Sequence, residues 1–294
     1  MTVHTHQIAA APRLHWRRKF FYRLQKPGIY LILGLLALAI LLPIASLVIT
    51  SLKKDDEYLS YPIVWFPAVP QWHNYQLATT VFPFIKYVGN SLLLAFVFSV
   101  LTVGSSAMAG FAFSRLQSQR RQRLFSIVIA LLMIPNIVFV IPQFVIFARV
   151  GLTNTYWPWV LWGVTGSPFH IFLFRQFFSS IPKELEEAAE IDGASIWRMF
   201  WQIFLPNAKP VIATSYMLNF IWVWGDWFTP LIYLSDNNTT LAVKLSRAYV
   251  NSQGFTLTTV ALAGSVLYTI PILILFFVGQ KQIVENAVTS GLKG

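Results

Sequence analysis

Acidic side chains are scarce in this 294-residue chain, and five of its eleven lie within nine residues. They occupy residues 184–192, directly before Gly193, and are followed by an apolar segment that contains Ile203, Leu205 and Pro206. Clustered carboxylates can pair with Arg or Lys on a partner, or complement the positive end of a helix. The cluster is therefore the first candidate for a functional site.

A second polar group interrupts the apolar stretch at residues 210–234. Asn219, Trp222 and Asp226 are spaced i, i+3 and i+7, which places them on one face of a helix. Such a face suits a ligand that has both hydroxyl groups and a C–H face, as a sugar has. An acid inside a membrane helix costs about 2.5–3.5 kcal/mol and is a functional candidate by default. An equally weighted alternative places Asp226 near the outer interface, hydrated or paired with another helix.

Other ionisable side chains in the apolar stretches give weaker signals. His170 is expected to be satisfied by a neighbouring helix, and Arg175 is expected to extend to the membrane interface. The chain has no Cys, and its five His show no metal-ligand spacing, so a metal site is not expected. There is no G-x-x-x-x-G-K-[ST] loop and no group of catalytic residue types in the apolar stretches, so the chain is not expected to be an enzyme.

The composition places the chain in a membrane. It is 56% hydrophobic and only 11% charged, whereas soluble proteins carry about 25% charged residues. The net charge of +11 comes from basic residues scattered at the ends of apolar stretches, not from one basic face. Nucleic-acid binding is therefore not expected.

Six apolar stretches are long enough to cross a membrane as helices of about 20 residues. With the N-terminus inside, sixteen of the 22 basic residues fall on the inner side, which predicts that both termini are cytoplasmic. The sequence thus predicts an all-α integral membrane protein with an N-terminal tail (1–26), a six-helix transmembrane domain (27–280) and a C-terminal tail (281–294). The six stretches are residues 27–52, 87–113, 124–148, 157–178, 210–234 and 258–279.

The inner loop at about residues 180–209 has a helical pattern. Pro182 and the acids favour a helix start, Gly193 favours its end, and a second helix is predicted from about residue 194 to 204. A helix this short is barely stable alone and needs a surface to dock on. Docking on lipid is less favoured than docking on protein, because acids are repelled by anionic lipid.

The full spacing of this loop carries a resemblance to a known family. It matches EAA-x3-G-x9-I-x-LP, the inner-loop signature of permease subunits of ATP-binding-cassette importers, at Glu187, Ala188, Ala189, Gly193, Ile203, Leu205 and Pro206. The chain is similar to the carbohydrate-uptake branch, in particular the maltose-permease-like second subunit. One departure is Gly225, where the family has Asn between a Trp and an acid. Further similar segments are residues 72–75 (WHNY), 90–91 (NS), 109–113 (AGFAF), 133–135 (MIP), 191–194 (IDGA) and 291–294 (GLKG).

The resemblance implies a type I importer transmembrane domain in the cytoplasmic (inner) membrane of a prokaryote. Its loop, including Glu187 and Asp192, would dock as a coupling helix into a cleft of a cytoplasmic ATPase subunit. Two such ATPase subunits would bind ATP and Mg, so that this chain needs no cofactor. A second permease and a solute-binding protein would complete a complex that takes up a di- or oligosaccharide. Glycerol phosphate or a polyol is the alternative solute. An ion-coupled secondary carrier is the alternative class, but it would need ionisable residues along several spans and preferably an internal repeat.

Overall fold

The computed structural model describes residues 13–116, 120–250 and 253–291, with side chains described from residue 26 to residue 281. Parts of the two predicted tails, residues 1–12 and 292–294, lie outside the described residues. The described chain is helical apart from an isolated β-bridge between Val250 and Thr256. It divides into two compact units, residues 1–71 and 72–294, which are described separately. The helices are α1 (Arg13–Ser51), α2 (Asp55–Leu59), α3 (His73–Thr80), α4 (Phe84–Arg115), α5 (Arg121–Leu132), α6 (Ile137–Arg149), α7 (Trp157–Thr165), α8 (Pro168–Ser179), α9 (Glu184–Ile191), α10 (Ile196–Met199), a π-helix (Phe200–Phe204), α11 (Leu205–Asn207), α12 (Lys209–Gly225), α13 (Phe228–Tyr233), α14 (Leu241–Arg247) and α15 (Thr258–Gly291).

The first unit consists of the long helix α1, the short helix α2 and an irregular segment. The apolar side chains of α1 are exposed from Ile29 to Ile44, as a helix that faces lipid requires. Lys53 donates a hydrogen bond from Nζ to the Val64 carbonyl at 2.5 Å, and Glu57 accepts one from the Ala68 amide at 3.1 Å. These bonds hold the irregular segment against α2 and the residues that follow α1.

Three of the six predicted spans are single long apolar helices. They are Lys26–Ser51, Phe84–Arg115 and Thr258–Lys281, and a fourth candidate is the pair α5 and α6, which is bent by 101°. The prediction of one continuous helix is corrected for the third, fourth and fifth stretches, because each is divided into two helices. Hydrophobic length alone did not reveal these breaks.

Two of the three breaks have a local cause in the sequence. Pro135 lies between α5 and α6, and Pro168 begins α8, and proline removes a backbone donor and disfavours a helical conformation in the residue before it. Between α12 and α13, Asp226 leaves the helix with φ −73° and ψ 110°. Pro43, Pro142 and Pro271 lie inside helices that continue past them.

Helix α4 is the centre of the second unit, where it packs against α7, α8 and α12. Gly110 allows the approach of α8, because a Cβ atom there would lie 2.5 Å from the Phe174 Cβ and 2.9 Å from the Arg175 amide nitrogen. Small residues at helix contacts are typical of membrane proteins, in which association depends on close packing. The helices α4 and α8 therefore form a tightly joined pair.

The second unit has two hydrophobic cores. The first surrounds Trp159, Trp224 and Tyr233. It contains side chains from α3, α4, α7, α12, α13, α14 and α15. The second lies at the end of α4 and includes five phenylalanines, here called the phenylalanine cluster. Ring centroids of Phe111 and Phe204 are 4.9 Å apart, a distance typical of stabilising aromatic pairs. The members of the phenylalanine cluster are Phe111, Phe174, Phe178, Phe200 and Phe204.

Candidate functional site

The acidic loop is built on the phenylalanine cluster. Helix α9 packs Ala189 into this core, where the residue is 6% exposed, and turns Glu187 and Ala188 outward. The amides of Glu186 and Glu187 both bond to the Lys183 carbonyl at 2.9 Å, so the acidic first turn is formed as the sequence predicts. Small Ala189 allows close docking of α9 on the core, while the carboxylates of its other faces stay accessible.

Gly193 ends α9 in the left-handed conformation, with φ +71°, which confirms the predicted helix stop. The amides of Asp192, Gly193 and Ala194 bond back to carbonyls of the last turn of α9 at 2.9–3.0 Å. A Cβ atom on Gly193 would meet nothing within 4 Å. Glycine is therefore favoured here by backbone conformation and not by space. Asp192, just before the corner, is exposed.

The second half of the loop is helical, as predicted, but it is not a single α-helix. Ser195 caps α10 by accepting a hydrogen bond from the Arg198 amide at 3.3 Å, and a π-helix follows directly. Ile203 and Leu205 are half-buried against the phenylalanine cluster, and Pro206 is exposed in the next helical turn. The apolar half of the signature therefore anchors the loop, while its acidic half stays at the surface.

Arg115, the last residue of α4, is a contact that the sequence analysis missed. Its side chain is 5% exposed and forms an ion pair with Glu186 at 2.9 Å. In the sequence, Arg115 counts as one more inner positive charge and Glu186 as one more acid of α9. Opposite charges on two inner segments of an apolar chain are a signal, but 71 residues separate them.

The candidate pathway residues on α12 lie in different surroundings. Asn219 is 6% exposed and donates a hydrogen bond to the Ser99 hydroxyl of α4 at 3.3 Å. Buried His170 on α8 lies beside the Asn219 side chain, so a neighbouring helix does contact it, although its Nδ1 has no hydrogen-bond partner among the described residues. Side-chain hydrogen bonds such as that of Asn219 to Ser99 hold membrane helices together. Asn219 thus lies between three helices, whereas Trp222 is 65% exposed.

Asp226 lies at the break between α12 and α13 and is half-buried. Its Oδ1 accepts a hydrogen bond from the Thr229 amide at 3.0 Å, as a carboxylate does at a helix start. Trp224, two residues earlier, is 1% exposed and stacks between Phe220 and Tyr268 at centroid distances of 5.9 and 5.2 Å. The break is therefore held firmly, and Asp226 has a definite position beside it.

Arg175 does not extend away from the helices. Its guanidinium carbon lies 3.8 Å from the centroid of the Phe125 ring, and its Nε donates to the Phe113 carbonyl at 3.4 Å. A guanidinium over an aromatic face is a favourable cation–π contact. Arg175 thus joins α8 to α5 and to the end of α4. Within the described residues, no group of three or more His, Cys, Asp or Glu side chains could hold a metal ion.

Comparison with known proteins decides the family. A family model described as binding-protein-dependent transport system inner membrane component matches residues 102–285, more than half of the chain. The chain belongs to this family. The matched part runs from the middle of α4 through the acidic loop into α15. The protein is thus an inner-membrane permease subunit of an ATP-binding-cassette importer, a transport component and not an enzyme.

Relatives and one solved structure show how far the similarity of this permease extends. It is 33% identical over 205 residues to the lactose transport system permease protein of Rhizobium radiobacter, covering 68% of this chain and 73% of the relative. It is 29% identical over 272 residues to the trehalose/maltose transport system permease protein of Thermococcus litoralis, covering 90% and 97%. A chain of a bacterial ABC transporter involved in import of the acidic polysaccharide alginate superposes with a TM-score of 0.76 at 23% identity, covering 89% and 97%. The last comparison shows the shared fold.

Proposed function

We propose that this permease, together with a second permease subunit, forms the pathway for a di- or oligosaccharide delivered by a solute-binding protein. Two cytoplasmic ATPase subunits bind ATP and Mg and drive the cycle. The observation that carries the proposal is α9, a short acidic helix that is anchored on the phenylalanine cluster and leaves Glu187 and Asp192 exposed beside the Gly193 corner.

The exposed residues of α9 fit a docking helix. Glu187 and Asp192 can form charge-assisted hydrogen bonds with Arg or Lys of an ATPase subunit, and exposed Ala188 leaves space for close approach. Ile191, which is 87% exposed, adds an apolar contact at the end of the helix. Residues 180–209 are therefore proposed as the coupling loop, in which Ile203, Leu205 and Pro206 link α9 to α12.

The solute class is proposed from the relatives and from the α12 residues. Two sugar permeases are similar over most of this chain. Exposed Trp222 offers a ring face for a sugar C–H face, and Asp226 offers an acceptor for hydroxyl groups. A carboxylate near the pathway opposes an anionic solute, which disfavours glycerol phosphate relative to a neutral sugar. Asn219 contributes by holding α12 against α4.

The test of the proposed function is capture of ATPase subunits by this chain from its own host, with Glu187→Lys compared against Glu184→Lys. Both acids lie exposed in the first turn of α9, so the pair is matched in helix position and charge change. Glu187→Lys is expected to weaken ATPase binding by about tenfold or more, because reversing one partner of an interfacial charge pair costs roughly 2 kcal/mol or more. Glu184→Lys is expected to bind normally.

Two results would contradict the proposal. Normal ATPase binding by both variants would make α9 an acidic surface without a docking role. Uptake into vesicles that persists without ATP and collapses with a protonophore would instead indicate an ion-coupled carrier.

In the reconstituted complex, a disaccharide on the solute-binding protein should stimulate ATP hydrolysis. Stimulation by glycerol phosphate or a polyol alone would show that this other solute class is the one transported.

A further inference from the structure

The side chain of Arg115 contacts four parts of the structure at once. It extends from the last residue of α4, and its Nη1 donates to Glu186 Oε2 of α9 at 2.9 Å. Its Nη2 donates to the carbonyls of Phe178, near the end of α8, and Ile181, in the following turn, at 2.5 Å each. Its guanidinium carbon lies 4.9 Å from the ring centroid of Phe204 in the π-helix.

The chemistry of these contacts requires arginine. The guanidinium is a planar group that can donate hydrogen bonds in several directions in one plane. The lysine ammonium is a compact charge whose donors all lie on a single nitrogen. Carbonyls at the end of a helix carry partial negative charge and favour a cation. The Phe178 carbonyl accepts from Arg115 in addition to the Ile181 amide, which lies at 3.2 Å. Because the side chain is 5% exposed, water does not replace these bonds easily. The site therefore fixes one geometry among α4, α8 and α9.

The Glu186 side chain points toward the interior of the protein, unlike the other acidic side chains of α9. Its side chain is 22% exposed and paired with Arg115, while Glu184, Glu187 and Glu190 are exposed. Ala189, one turn further along the helix, is buried in the same direction. Glu186 and Ala189 thus define the inner face of α9, and the remaining carboxylates are left for the surface.

We propose that Arg115 is the positioning residue that makes α9 move together with α4 and α8. Residues 180–183 connect α8 to α9 and form only a short turn, which could bend when α9 is displaced. With Arg115 bonded on both sides of that turn, a displacement of α9 is passed to the two helices that Gly110 holds in close contact. The inference deepens the proposed function and rests on its assignment of α9 as the coupling helix.

The experiment combines a mobility measurement with a coupling measurement. The chain has no Cys, so Leu185→Cys on α9 introduces a single thiol for a nitroxide spin label. In Arg115→Lys, the label is expected to become more mobile, ATPase subunits are expected to stay bound, and solute uptake per ATP hydrolysed is expected to fall at least fivefold. Arg123→Lys is the control, since Arg123 is exposed at the start of α5.

A second variant keeps the test decisive if Arg115→Lys does not assemble. Glu186→Gln leaves the arginine on its two carbonyls and removes only the charge of α9, so the label should again be more mobile and coupling should again fall. Combined with Arg115→Lys, it should add nothing further, because both changes break the same link. Label mobility and coupling equal to those of Arg123→Lys would overturn the proposal.

The design separates this proposal from the function on which it rests. If the unaltered chain captures no ATPase subunits, the assignment of α9 as a coupling helix fails, yet the mobility of the label still tests whether Arg115 fixes α9. If ATPase subunits bind and Arg115→Lys leaves both readouts unchanged, only the role of Arg115 fails.

Discussion

At the scale of single residues, Asp226 combines two properties that the sequence could not separate. Its spacing from Asn219 and Trp222 predicts one helical face, and its charge in an apolar stretch predicts a function. The structure adds that the helix ends at Gly225, so Asp226 lies past the last turn and bonds to the Thr229 amide. A residue that caps a helix can also present its second oxygen to a solute.

Substitution by Asn and by Ala distinguishes these properties. Asp226→Asn keeps an oxygen for the Thr229 amide and removes the charge, whereas Asp226→Ala removes both. We expect Asn to reduce uptake about tenfold or more, since a hydrogen bond to a charged group contributes roughly 1.5–3 kcal/mol. ATPase binding and thermal stability should be unchanged in Asn, and Ala should also lose about 0.5–2 kcal/mol of stability. Normal uptake by Asn would leave Asp226 a structural cap.

The structural role of a residue could be predicted from the sequence where a local rule governs it. It could not be predicted where the role depends on a partner that is distant in the sequence. The stop at Gly193 follows from glycine chemistry alone and is confirmed by its φ of +71°. The pairing of Arg115 with Glu186 depends on α4 and α9 meeting in space, which no local spacing encodes. The buried environment of Asn219 likewise depends on Ser99, 120 residues away.

At the scale of elements, the Gly193 corner sets the angle between α9 and α10. A Cβ atom there meets nothing within 4 Å, so any effect of substitution comes from the left-handed backbone and not from a clash. Asn tolerates this conformation and Val resists it. Gly193→Val and Gly193→Asn are therefore a matched pair that separates backbone geometry from side-chain size.

We expect Gly193→Val to impair ATPase binding or to uncouple ATP hydrolysis from uptake, while the chain still inserts in the membrane. The strain of a left-handed β-branched residue is of order 1–3 kcal/mol, enough to shift the corner to another conformation. Gly193→Asn should retain most of the binding and coupling. Purified complexes provide both measurements, as bound ATPase and as solute transported per ATP. Equal behaviour of the two variants would show that the corner angle has no role.

The helical elements were predictable in extent but not in continuity. Hydrophobic length located α1, α4 and α15, because a long apolar run has no other stable form in a bilayer. Hydrophobic length also predicted one continuous helix for each of the pairs α5 and α6, α7 and α8, and α12 and α13. Proline residues mark two of these breaks, but proline also lies inside uninterrupted helices such as α15, so its presence alone does not decide.

At the scale of the whole molecule, the bent pair α5 and α6 is one determinant of the side of the membrane that the acidic loop faces. If the pair crosses, the spans alternate as the charge distribution predicts. If it turns back within the membrane, every later segment lies on the opposite side, and the basic residues divide thirteen to nine instead of sixteen to six. The positive-inside rule favours the first arrangement.

Hydrogen bonds after α6 support a crossing. Asn154 bonds to the Tyr233 carbonyl at 2.7 Å, and Tyr156 donates to the Asn238 carbonyl at 2.8 Å. The loop that contains Asn238 also meets the beginning of α4, since Lys86 donates to Asn237 at 2.8 Å. The segment before α5 follows the other end of α4, which is about 48 Å long at 1.5 Å per residue. The two ends of the bent pair therefore lie at opposite ends of α4.

Reporter fusions test this arrangement. Fusions after Arg120 and Ser195 are expected to report the cytoplasm, and fusions after Gln71 and Arg247 are expected to report the outside. The informative comparison is Arg120 with Ser195, because a crossing pair places an even number of spans between them, whereas a pair that turns back places an odd number. The Arg120 fusion serves as the control for insertion of the first two spans. A cytoplasmic Arg120 reporter with an external Ser195 reporter would place α9 beyond the reach of any cytoplasmic ATPase, and would reject the coupling role of the acidic loop together with the six-span topology.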